Sequence, residues 1–183
     1  MSCFHRPHRL LLALTLGLSG LAGCANPDIT TYVGQQPALD LARYFNGKVL
    51  AHGMFQDRSG QVVRRFTVEM EGRWDGDQGV LDEHFTYADG TKDRRVWHLT
   101  RHPDGRYSGT AADVVGTASG QASGNAFNWT YTLRLPVDGT TYEVRFDDWM
   151  YLIDERVMLN RATMSKWGVR LGEVTLSFHK PAP

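Results

Sequence analysis

Asp147 and Asp148 are the residues best suited by type to acid–base work, because paired carboxyls can divide the tasks of donating and accepting a proton. The competing reading is structural: one carboxylate faces solvent and the other pairs with an arginine such as Arg95, Arg145 or Arg161. Asp113, just before Val114-Val115-Gly116, reads as a buried polar anchor or a turn residue. His52, His84, His98, His102 and His179 fall on different expected strands. Strands of a barrel can bring such residues together, but surface or hydrogen-bonded roles suit them better, so no metal ligand is assigned. The chain has no G-x-S-x-G, H-E-x-x-H, Walker loop or C-x-x-C, and no catalytic residue or cofactor is assigned. The aromatic residues Trp97, Trp129, Tyr131, Phe146, Trp149 and Tyr151 form a supply suited to lining a ligand cavity or to filling a solid core. Asp113, Asp147, Asp148 and Arg161 are the polar anchors expected beside them.

Cys24 carries a different chemistry. Residues 1–9 hold Arg6 and Arg9 and no acid, and residues 10–21 are an apolar run too short to span a bilayer. The run ends in Leu21-Ala22-Gly23-Cys24. This resembles the lipobox of bacterial lipoproteins, which implies cleavage before Cys24 and a diacylglyceryl thioether on its sulfur. Ala25, where an inner-membrane retention signal would place Asp, implies the outer membrane of a Gram-negative host, facing the periplasm. Several acyl chains on one residue would hold the protein essentially permanently, since each buried methylene contributes about 0.8 kcal/mol.

The remainder must be the domain that such an anchor carries. Lysine plus arginine and aspartate plus glutamate both number 20, so no basic field recruits nucleic acid. Once residues 1–23 are removed, the balance is slightly acidic. Residues 24–37 read as a lipidated tether, and 38–183 as one domain. Leu41, Tyr44 and Phe45, spaced i, i+3, i+4 behind Pro37, predict a short amphipathic helix. From Lys48 on, Ser59-Gly60, Asp75-Gly76, Asp89-Gly90, Asp104-Gly105, Ser123-Gly124-Asn125 and Asp138-Gly139 punctuate the chain at intervals that leave room for long strands. Residues 65–74, 127–135 and 173–179 alternate apolar and polar with period two, the signature of one buried and one wet face. In 142–151 the apolar positions change parity after Asp147-Asp148, which predicts a β-bulge.

The stretch 39–49, LDLARYFNGKV, is similar to the opening of lipocalins, with Val49 where that pattern carries a Trp. A wider resemblance is to a family of bacterial lipoproteins, domain of unknown function 3833. It is carried by Tyr44-Phe45-Asn46-Gly47, Tyr87-Ala88-Asp89-Gly90, Asp113-Val114-Val115-Gly116, Asp147-Asp148-Trp149-Met150-Tyr151, and Asn160-Arg161 through Met164-Ser165-Lys166. Together these readings give an all-β, antiparallel, lipocalin-like (calycin-like) β-barrel of about 8–10 strands with a short N-terminal helix. Three functions fit it. The first is a membrane-anchored protein that binds or transfers a small apolar ligand such as a fatty acid or lipid. The second is an envelope assembly factor with a solid core. The third is a hydrolase or isomerase using Asp and His.

Overall fold

The computed structural model describes residues 27–181. Ten strands run in order: β1 (Gly47–Asp57), β2 (Val62–Asp75), β3 (Gln78–Tyr87), β4 (Lys92–Arg101), β5 (Arg106–Thr110), β6 (Ala118–Ser123), β7 (Ala126–Val137), β8 (Thr140–Leu152), β9 (Val157–Lys166) and β10 (Val169–His179). Each pairs antiparallel with its neighbours in sequence, and β1 pairs with β10 to close the barrel. Closure leaves no open sheet edge. The expected all-β antiparallel barrel is thus the observed one, at ten strands.

The alternating stretches face as their patterns require. Val68 and Met70 on β2, Phe127, Trp129 and Leu133 on β7, and Phe178 on β10 are buried in one interior cluster. Every Gly-containing turn signal lies at a junction between strands. Three connections lie outside those signals: the β5–β6 loop, the β8–β9 loop and the β9–β10 hairpin at Trp167-Gly168. Trp167 there has φ +51°, a backbone region that bulky residues rarely occupy.

One end of the barrel is plugged. The expected helix forms as α1 (Leu41–Tyr44), started by Asp40, whose carboxylate accepts from Arg43 N at 3.1 Å. Leu41, Tyr44 and Phe45 are buried, and Phe45 meets Phe178 edge-on at 5.6 Å. Lys180 Nζ donates to the carbonyls of Tyr44 (2.8 Å) and Asn46 (2.9 Å), meeting acceptors that a helix end leaves open. Gly72 lets the plug approach this closely, since a Cβ there would collide with the Phe45 carbonyl.

One local expectation is corrected, in β8. Part of the stretch read as a tether lies against the barrel wall. Ile29–Tyr32 form a 3-10 turn, and Tyr32 packs its ring on Trp149 (6.0 Å) and Tyr151 (5.4 Å). Strand β8 has no bulge: its pairing with β7 and β9 is continuous from Arg145 to Tyr151. The even positions stay inward throughout, so Asp148 and Met150 continue the face of Val144 and Phe146. Trp149 and Tyr151 lie outside, and their apolar rings are covered by the N-terminal turn. Register shifts occur instead in β1, at Phe55/Gln56, and in β10, at Arg170/Gly172.

Candidate functional site

The barrel is hollow. A cavity of about 550 Å³ runs from the α1 plug, at Leu41 and Phe45, to the opposite end, where Val63, Arg64, Tyr87 and Val137 border it. That volume is within the ordinary range for small-molecule sites. Hairpins β1–β2, β3–β4, β7–β8 and β9–β10 surround this mouth, because each strand leaving the plug turns there.

The walls are mostly aromatic and aliphatic. Of the six aromatic residues singled out from sequence, Trp97, Trp129, Tyr131 and Phe146 line the cavity. Trp97 meets Trp129 at 5.7 Å and Tyr131 at 5.5 Å, and Tyr131 stacks on Phe146 at 5.0 Å. Trp149 and Tyr151 are corrected to the outer wall, because the unbroken parity of β8 turns them away from the interior.

Midway along the cavity lies a polar centre. Asp148 is buried, accepts from Asn160 Nδ2, and lies 3.4 Å from the Tyr131 hydroxyl that donates to it. Across the barrel, Glu83 on β3 is opposite Arg95 on β4, with Glu83 Oε2 3.7 Å from Arg95 Nη1. Arg95 donates through Nε and Nη2 to Asp113 Oδ2, at 2.9 and 2.7 Å. Burial pushes Glu83 up to about 7, with Arg95 opposing the rise and Asp113 adding to it. Burial also pushes Asp148 up to about 7, against the hydrogen bonds from Asn160 and Tyr131. Tyr131 is raised well above its ordinary range by burial and by the Asp148 charge.

Asp113 holds this centre because of where its loop runs. Strands β5 and β6 are short, so residues 111–117 strap the wall between β4 and β7. Val115 N donates to Thr132 O at 2.9 Å, and Arg134 N donates to Asp113 O at 2.8 Å. Asp113 is therefore a strap residue whose side chain reaches the interior arginine. The other two polar candidates belong to the outer surface. Asp147 accepts from Asn128 Nδ2 at 2.7 Å, and Arg161 pairs with Glu173 at 2.5 Å. The carboxylates of Asp147 and Asp148 thus point to opposite faces of β8 and do not form an acid–base pair. Asp148 takes an amide and a phenol as partners rather than an arginine.

Glu83, Arg95 and Asn160 were not among the expected site residues. The signal for the first two is parity: Glu83 shares the apolar face of Leu81 and Phe85, and Arg95 that of Trp97 and Leu99. No histidine borders the cavity among the described residues, and no group of three or more His, Cys, Asp or Glu there is placed to hold a metal ion. Cys24 lies outside the described residues.

Solved structures of similar shape share the barrel at very low sequence identity. The S-type phycobiliprotein lyase of Guillardia theta matches with a TM-score of 0.57 at 6% identity, over 78% of this chain and 92% of its own. A protein of unknown function from the DUF3598 family of Nostoc punctiforme matches with a TM-score of 0.55 at 9% identity. That match covers 80% of this chain and 51% of the other, so the chain spans about half of that protein. At such identities the likeness establishes the fold alone. No curated protein gives a significant match. A family model does match, over residues 18–180 and with the motifs that form the plug, the strap and β8 all inside it, so the chain belongs to the DUF3833 family, described as proteins of unknown function.

Proposed function

We propose that this protein is a lipid-anchored carrier that binds a small, largely apolar molecule inside its barrel and passes it on at the periplasmic face of the outer membrane. The observation that carries the reading is the cavity of about 550 Å³, open at one end and walled by aromatic and aliphatic side chains. A solid-core assembly factor would have no use for this space. An Asp–His hydrolase would need a histidine at the wall. Fatty acids and single-chain lipids match the elongated shape and the apolar lining.

The mouth supports the transfer step. Val63 and Val137 stand exposed at its edge, and Trp167 at the β9–β10 tip is 92% exposed. Lys166 Nζ lies 4.4 Å from the Tyr142 ring and 4.6 Å from that of Trp167. Aromatic rings with adjacent cations suit the boundary between lipid headgroups and acyl chains. The anchor comes from the lipobox at Cys24.

Native mass spectrometry tests the carrier reading. The chain starting at Ala25, exported to the periplasm, is weighed before and after organic extraction. An extra mass that extracts as lipid is expected. A bare mass that stays bare after incubation with fatty acids and phospholipids refutes the reading. Labelling with radioactive palmitate tests the anchor, and label retained by Cys24→Ala refutes that part.

A further inference from the structure

The cavity is mostly apolar, but its centre holds more carboxyl groups than cations. Glu83 from β3 and Asp113 from the strap flank one guanidinium, Arg95, and Asp148 from β8 is held by Tyr131 and Asn160. That guanidinium is already engaged by Asp113 at 2.7 Å. Glu83 Oε2 is buried at the cavity wall with no donor at hydrogen-bond distance, although the Trp97 side chain and Arg95 both draw its carboxyl down. A buried acceptor without a donor is destabilising, and a ligand that brings a donor relieves it.

Resting on the carrier reading above, we propose that the occupant is a single-chain amphiphile with a protonated amine head, and that Glu83 and Asp148 receive that head. An amine offers up to three donors and a second positive charge to a centre whose one guanidinium is taken by Asp113. A carboxylate head would be repelled by Glu83 and Asp148 as they ionise near neutrality, with Arg95 already paired to Asp113, whereas an ammonium head is favoured by each carboxyl that ionises. The other cation bordering the cavity, Arg64, is held at the mouth, over the Tyr87 ring at 3.4 Å and 3.6 Å from Asp89. The acids next to the centre in sequence are turned outward: Asp82 pairs with Arg94 at 2.8 Å and Asp147 accepts from Asn128. The Tyr131 hydroxyl and the Asn160 amide already serve Asp148. No lysine or histidine borders the cavity among the described residues.

The centre is also coupled to protons. Burial keeps Glu83 and Asp148 protonated to about pH 7, so taking up an ammonium group ionises a carboxyl and releases its proton. Affinity for the amine then rises about tenfold per pH unit below pH 7 for each proton released, and levels off above.

The test uses the chain from Ala25 loaded with N-phenyl-1-naphthylamine, a neutral apolar fluorophore that reports occupancy. Dodecylamine, dodecanol and dodecanoate compete for it below their micelle-forming concentrations, from pH 5.5 to 8. Dodecylamine is expected to displace the probe at a concentration at least tenfold lower than either competitor at pH 7.5. Its advantage over dodecanol should shrink about tenfold per unit of acidification. Glu83→Gln and Asp148→Asn, checked by near-ultraviolet circular dichroism, should each reduce the preference and flatten its pH dependence. Dodecanoate or dodecanol matching dodecylamine in the unmodified chain overturns the proposal, even where a variant misfolds. So does a full preference retained in both folded variants. A probe that never binds refutes the carrier reading itself, a result distinct from probe binding without head-group preference.

Discussion

Replacing Glu83 by Gln should make the protein more stable at alkaline pH relative to the unmodified chain, and change it least in acid. The folded chain raises the carboxyl to about 7, through burial first, with Arg95 opposing and Asp113 reinforcing. In the unfolded chain the same group titrates near 4.3. A raised acid is held preferentially in its protonated form by the folded state. The favourable contribution is therefore complete below about pH 4.3 and is lost as pH climbs through about 7. Each pKa unit corresponds to about 1.4 kcal/mol, so the loss across this window is about 4 kcal/mol. Glutamine has no proton to lose and keeps the shape, while Arg95 retains Asp113. Asp148 loses stability in the same window, but removing the Glu83 charge eases its rise, so it shifts the difference in the same direction. Urea melts of both proteins from pH 4.5 to 8.5 provide the comparison. The glutamine variant should gain about 4 kcal/mol on the unmodified protein between the extremes, or roughly 8–16 °C in melting temperature for a domain of this size. Two pH profiles that run parallel would show that Glu83 ionises freely and that the interior centre does not exist as described.

Four further outcomes follow from particular contacts. Phe45→Ala should cost about 3–5 kcal/mol in thermal or chemical denaturation, because the side chain is 4% exposed and seals the plug against Phe178. Gly124→Ala should release the N-terminal turn, since a Cβ there meets the Tyr32 carbonyl and the backbone has φ +53°; limited proteolysis near Val33 should quicken while the barrel's near-ultraviolet spectrum persists. Leu135→Trp, at a half-buried position on the wall near the mouth, should reduce bound ligand mass in native spectra at least tenfold, with a stability change of no more than about 3 kcal/mol. Trp167→Ser should slow ligand transfer from vesicles severalfold with stability unchanged within about 0.5 kcal/mol, because the ring is almost wholly exposed.

Much of the fold is legible because its signals are local. A period of two sets the faces of β2, β7 and β10, and Gly-containing turns mark most of the strand junctions. Leu41, Tyr44 and Phe45 form the plug at the spacing that one helical turn requires. The β8 strand misleads for a reason that is not local. Its inward face carries a carboxylate, Asp148, where an apolar residue is expected. Its outward face carries two aromatic rings, covered by Tyr32 from far along the chain. Read without that cover, the pattern mimics a bulge.

The sequence by itself determined the architecture, since turn chemistry and alternation act between residues close in the chain, and it supplied the aromatic residues of the cavity wall. Only the tertiary structure decided that the interior is hollow, that Trp149 and Tyr151 are outside, and that Glu83, Arg95, Asp113 and Asp148 share one buried centre. These four come from β3, β4, the strap and β8, and their meeting depends on strand register and closure. No spacing along the chain encodes that meeting. It arises when desolvation and pairing act on groups that the closed barrel forces together, and burial there raises Glu83 and Asp148 to about 7.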